Sequence, residues 1–83
     1  MLNGSHINVT VDFSKWGKGQ YDVRIPVHLP VKQLLSNLQE ALAIETAGAP
    51  LFALKVPQKH LLLTDDDRLA DYPVTNGDIL QVL

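Results

Sequence analysis

The sequence predicts an α+β domain in which one helix packs across one face of a mixed β-sheet. Three observations carry that prediction. Residues 7–13 and 21–25 alternate apolar and polar side chains with period two. Residues 31–44 change to a helical period. Residues 79–83 close the sequence with an apolar strand behind a sharp polar turn. In a chain of 83 residues such a strand needs pairing on both sides and cover on one face.

Ile7, Val9, Val11 and Phe13 alternate with Asn8, Thr10 and Asp12. Strict alternation over this length indicates a strand with one buried face. Ser14 to Gly19 is a glycine-bearing turn. Tyr21, Val23 and Ile25 alternate with Asp22 and Arg24, so the two strands form a hairpin. Pro26 ends the ladder, and Leu29-Pro30 marks the next boundary. Val31, Leu34, Leu35, Leu38, Ala41 and Leu42 then fall on one helical stripe, with Lys32, Gln33, Asn37, Gln39 and Glu40 outside it. Pro30 suits the first helical position, where a missing N–H costs nothing. The helix is expected to run to Ile44.

Thr46 to Pro50 reads as a loop. Phe52, Leu54 and Val56 alternate with Ala53 and Lys55 as a third strand, and Leu61-Leu62-Leu63 is a short fourth. Asp65-Asp66-Asp67 reads as a solvated turn whose last carboxylate caps a helical turn carrying Leu69 and Tyr72. Pro73 stops that turn, and Asn76-Gly77-Asp78 supplies turn chemistry before the terminal strand. The final strand is expected to pair beside the first at the sheet centre. With the helix lying across one face, that topology is the β-grasp. Residues 1–6 read as a flexible N-terminus or tag remnant, and residues 7–83 as a single β-grasp domain.

Composition restricts the function classes. A domain of this size buries only about 60–65% of its unfolded surface, leaving little area for an enclosed active site. The net charge of −2 gives no electrostatic case for nucleic acid or an anionic membrane. The absence of cysteine excludes a disulfide framework, thiol chemistry and a cysteine zinc site. No apolar run approaches the length of a bilayer span, and residues 1–6 lack the pattern of a signal peptide. A cytoplasmic protein is expected.

Candidate chemistry is thin. His6, His28 and His60 lack the spacing of metal ligands. The aspartate run lacks the alternation and the distal glutamate of a calcium loop. No Ser–His–Asp pattern supports a hydrolase. Lys18 lies between two glycines, but no strand-to-helix phosphate cradle follows. The expectation is a non-enzymatic protein with no catalytic residue, cofactor or metal.

Four segments in register carry a family resemblance: VTVDF at 9–13, YDVRIP at 21–26, LPVKQLL at 29–35 and DRLADYPVTNGDILQVL at 67–83. Together they resemble the YukD/EsaB family, the small ubiquitin-like proteins of Gram-positive type VII (ESAT-6-like, WXG100) secretion systems. The segment Leu69-Ala70-Asp71-Tyr72 is also similar to a leucine–serine–aspartate–tyrosine segment of ubiquitin. The resemblance implies a cytoplasmic adaptor or regulator that docks on protein components of the secretion membrane complex without inserting into the membrane. One alternative is a ubiquitin-like modifier or sulfur carrier. Those end in Gly-Gly beyond the last strand, because an adenylating enzyme threads an extended, side-chain-free carboxylate into its site. A sequence ending at Leu83 is not expected to serve that chemistry. A second alternative is a regulatory domain detached from a membrane subunit.

Surfaces remain as the functional candidates. Thr10 is expected on the solvated side of the first strand, as a contact or a modification site. Trp16 lies in a polar turn, either packed across the hairpin or serving as an interface anchor. Leu51, Ile79 and Leu83 fall out of phase with the expected core residues Phe52, Leu80 and Val82. They are therefore expected to form an apolar patch on the sheet face opposite the helix, the usual docking face of the ubiquitin fold.

Overall fold

A computed structural model describes residues 5–46, 48 and 50–83. Five strands form one mixed sheet: β1 (His6–Asp12), β2 (Gln20–Pro26), β3 (Ala53–Val56), β4 (Leu61–Thr64) and β5 (Ile79–Val82). Their spatial order is β2-β1-β5-β3-β4. β1 and β5 are parallel at the centre, and every other pairing is antiparallel. One helix, α1 (Val31–Ala41), crosses one face. This is the β-grasp topology, with the last strand in the middle of the sheet. Residues 1–4 of the expected flexible N-terminus lie outside the described residues, and β1 begins at His6. Among the described residues no helix is long and apolar enough to cross a membrane.

The core is the set of side chains that the period-two and helical patterns aim at one another. Val9 and Val11 from β1 and Phe13 just after it share one core with Val31, Leu34, Leu35 and Leu38 from α1. Leu54, Val56, Leu63, Leu80 and Val82 complete the layer from the other half of the sheet. At the hairpin end the Phe13 and Tyr21 rings meet edge to face, with centroids 6.1 Å apart. That is an attractive geometry for aromatic quadrupoles. Gly17 and Gly19 adopt φ of 71° and 77°, which a side chain would disfavour, and so close the loop.

The helix departs from the sequence reading at both ends. Pro30 is the residue before the helix, not its first residue: its ψ of 146° is extended. No side chain caps the helix. Instead the Val31 N–H donates to the Asp67 carbonyl at 2.8 Å and the Lys32 N–H to the Asp65 carbonyl at 3.0 Å. The aspartate turn therefore satisfies two of the N–H groups that every helix start leaves open. It also brings negative charge to the positive end of the helix dipole. The Asp67 carboxylate does not cap the turn that follows it. It accepts the Thr64 N–H at 2.9 Å, and Arg68, not Asp67, is the residue that precedes the following 3-10 turn (Leu69–Asp71).

At the other end α1 stops at Ala41, three residues before the expected Ile44. Ala43 turns left-handed at φ 55°. The Ala43 N–H then bonds the Glu40 carbonyl and the Ile44 N–H bonds the Gln39 carbonyl. These are the two bonds of a Schellman motif. Ile44 is buried in the same core as Leu38, so its apolar character belongs to the cap rather than to a further helical turn.

The phase at the start of β3 is also corrected. Leu51 is buried, at 6% exposure, and Phe52 is 51% exposed. The paired ladder begins only at Ala53, opposite Thr64. The Phe52 carbonyl still accepts the Asp65 N–H, but Asp65 is left-handed at φ 36°. Strand alternation therefore does not extend back to residues 51 and 52.

Candidate docking surface

Side chains in register on neighbouring strands line up across the sheet, and alternate positions share a face. On the side away from α1, one row runs Asp22, Thr10, Ile79 from β2 through β1 to β5. A second row runs Gln20, Asp12, Gln81, Lys55, Leu62 across all five strands. Leu83 extends this face past the end of β5, where its N–H donates to the Ala53 carbonyl at 3.1 Å. Burial follows the same alternation. Leu80 and Val82 are fully buried, whereas Ile79, Gln81 and Leu83 are half-buried and Leu62 is 58% exposed.

The structure thus brings Thr10, Ile79 and Leu83 onto one uncovered face, and Thr10 and Ile79 are direct cross-strand partners. Leu51 does not join them, since it is in the core. Trp16 lies in the 3-10 turn Ser14–Trp16, which runs beside β5, and it packs partly against the core. Its indole N–H is buried without a hydrogen-bond partner, and the Lys15 ammonium stands 5.5 Å from the ring centre.

Two residues of this face carried no clear sequence signal. Leu62 was one of three successive leucines, and only the pairing Leu62↔Lys55 settles which of them faces out. Lys55 read as an ordinary solvated strand position, although it lies between Leu62 and Gln81.

The carboxylates of the face are already engaged. The Thr10 hydroxyl donates to Asp22 Oδ1 at 2.7 Å. Asp12 accepts the Ser14 N–H at 2.8 Å, and Gln20 Nε2 approaches its other oxygen at 3.4 Å. The Ser14 hydroxyl and then the Ser14 N–H hold the Asp12 carboxyl below its ordinary value, against a smaller opposing push from burial.

One end of the face is braced from below. Lys59 Nζ donates to the Pro73 carbonyl at 2.6 Å and to Thr75 Oγ1 at 3.0 Å, and it pairs with Asp78 Oδ2 at 2.7 Å. Asp78 Oδ2 also accepts the Thr75 N–H at 2.9 Å. Burial pushes the Asp78 carboxyl up, but the hydrogen bonds from Lys59 and Thr75 and the Lys59 charge outweigh it, and the net direction is down. The same turn reaches β1: Asn8 N–H donates to Asn76 Oδ1, and Gly77 N–H to the Asn8 carbonyl, each at 2.8 Å. Gly77 makes this turn at φ 88°. The clamp fixes where β5 begins, and with it the position of Ile79.

The histidines stand on separate elements: His6 starts β1, His28 follows β2, and His60 closes the 3-10 turn Pro57–Lys59. Among the described residues no group of three or more His, Asp or Glu could hold a metal ion.

Comparison with known proteins agrees with this geometry. The C-terminal ubiquitin-like domain of mouse tubulin-specific chaperone e, known from a solution structure, matches at a TM-score of 0.62 and 17% identity. The match covers 99% of this chain and 89% of that one. At that identity the likeness shows the fold alone. The type VII secretion system accessory factor EsaB of Staphylococcus aureus (strain Newman) is 38% identical over 78 residues, covering 94% of this chain and 96% of that protein. The ESX secretion system protein YukD of Bacillus subtilis (strain 168) is 24% identical over 78 residues, covering 94% and 99%. The family model for protein YukD of the WXG100 protein secretion system matches residues 6–82. With that match running from the start of β1 to the end of β5, the chain belongs to the YukD family.

Proposed function

We propose that this chain is a non-enzymatic accessory factor of a type VII secretion system. In this reading it works in the cytoplasm by docking its uncovered sheet face on a protein component of the secretion membrane complex. Family membership supports the secretion role. The observation that carries the docking role is the set of apolar side chains, Ile79, Leu83 and Leu62, on a sheet face that no element among the described residues covers. Apolar surface of this kind on a small domain marks a binding site. Thr10 lies within the same face, its hydroxyl held by Asp22. The carboxylates there are bound to neighbours rather than poised for proton transfer, which fits binding better than catalysis.

Export of a WXG100 substrate tests the proposal. Ile79→Lys and Leu83→Asp are expected to leave the domain folded by circular dichroism and to abolish export, because association would bury an unpaired charge. Thr10→Asp is expected to do the same. Charge changes at Lys32 or Glu40, on the exposed side of α1, are expected to matter little. Normal export with a folded Ile79→Lys protein would move the site off this face.

A further inference from the structure

Lys55 lies on the uncovered face on β3, between the central strand β5 and the edge strand β4. Leu62 lies directly opposite it on β4 and Gln81 directly opposite on β5. Ile79 and Leu83 lie two residues to either side of Gln81, and so are its diagonal neighbours on β5, within reach of a long side chain. A strand position surrounded in this way favours an apolar residue for its own packing. A lysine here covers apolar surface with its stem and raises an ammonium above it.

That ammonium has no ion-pair partner among the described residues. Among the described residues, ion pairs join Lys32 to Asp66 beside the helix and Lys59 to Asp78 in the clamp. The carboxylates that share the face with Lys55 are engaged elsewhere, Asp12 with Ser14 and Asp22 with Thr10. The β5–β3–β4 part of the face therefore carries the apolar Ile79, Leu83 and Leu62 around a positive charge without an ion-pair partner among the described residues, in a chain whose net charge is −2. Burying that charge against an apolar partner would cost its hydration with no return. A partner carboxylate placed over it restores the balance, in a charge-assisted hydrogen bond shorter and stronger than a neutral one.

From this charge complementarity, and resting on the docking proposal above, we infer that the partner presents an acidic side chain flanked by apolar ones. The carboxylate seats on Lys55 Nζ, and the apolar groups cover Ile79, Leu62 and Leu83. Lys55 then decides which partner docks, while the apolar residues supply the contact area.

Titration calorimetry with the purified chain and the purified cytosolic domains of the secretion membrane complex tests this, with circular dichroism confirming the fold of each variant. Lys55→Glu is expected to weaken binding by at least about tenfold. Lys55→Gln should weaken it less and remove most of its salt dependence. Lys55→Arg should retain binding, and so should Lys32→Glu, the same charge reversal on the helix side. Wild-type affinity in Lys55→Glu together with lost binding in Ile79→Lys would overturn the acidic partner and leave the docking face standing. Equal weakening by Lys55→Glu and Lys32→Glu would overturn it in favour of a general charge effect. Unchanged binding in both Lys55→Glu and Ile79→Lys, or no binding by the wild-type chain, would overturn both readings.

Discussion

Ala43 occupies the left-handed position after a helix end, which is usually glycine. Its φ of 55° costs a residue with a Cβ about 1–2 kcal/mol. Glycine removes that strain but loses more freedom on folding, by about 0.5–1 kcal/mol. Ala43→Gly is therefore expected to stabilise the domain by about 0.5–1 kcal/mol, read as a higher urea midpoint with an unchanged slope. A lower midpoint would contradict the left-handed cap. The sequence hid this helix end because no glycine or proline marks it, and because Leu42 and Ile44 prolong the apolar pattern. Phe52 misled for the opposite reason: its spacing from Leu54 and Val56 is that of a strand, but the ladder that enforces alternation starts one residue later. Periodicity reports which side chains are apolar. It does not report where pairing begins.

At the scale of elements, α1 is held by its stripe on one side and by the aspartate turn at its start. Leu38 lies between helix and sheet at 8% exposure. Leu38→Ala is expected to cost about 2–5 kcal/mol in a denaturant melt, and a change below about 0.5 kcal/mol would contradict its burial. The stripe was legible from spacing alone, since helical period and buried positions coincide at Val31, Leu34, Leu35 and Leu38. The backbone cap from Asp65 and Asp67 was not, because it depends on a chain segment more than thirty residues away coming to the helix start. The clamp between the 3-10 turn Pro57–Lys59 and the start of β5 was equally invisible, joining residues that no local rule connects. Asp78 titrates below its ordinary value in the folded state. Its contribution to stability is thus complete above the unfolded carboxyl value of about 3.9 and lost as pH falls through the lower folded value. Asp78→Asn should cost about 1–3 kcal/mol near neutral pH. The gap from wild type should close in acid as the native carboxyl protonates. A gap independent of pH would contradict the clamp.

At the scale of the whole molecule, the single helix can cover only one side of a five-stranded sheet. The other side is left to solvent, and there the chain keeps Ile79, Leu83 and Leu62 around one lysine instead of a uniformly polar surface. The order of the elements and the central place of β5 followed from the sequence, because an apolar terminal strand in so short a chain has few other places to go. The membership of the open face followed only in part. Thr10, Ile79 and Leu83 obeyed strand alternation, whereas Leu51 lay beyond the ladder, and Lys55 and Leu62 needed the register to be known. The most direct test of that face is an NMR titration of the isotopically labelled chain with a cytosolic domain of the secretion membrane complex. Amide signals of Thr10, Lys55, Leu62, Ile79, Gln81 and Leu83 are predicted to shift or broaden, with those of α1 unchanged. Perturbations confined to the exposed side of α1, from Lys32 to Glu40, would contradict docking through the uncovered sheet.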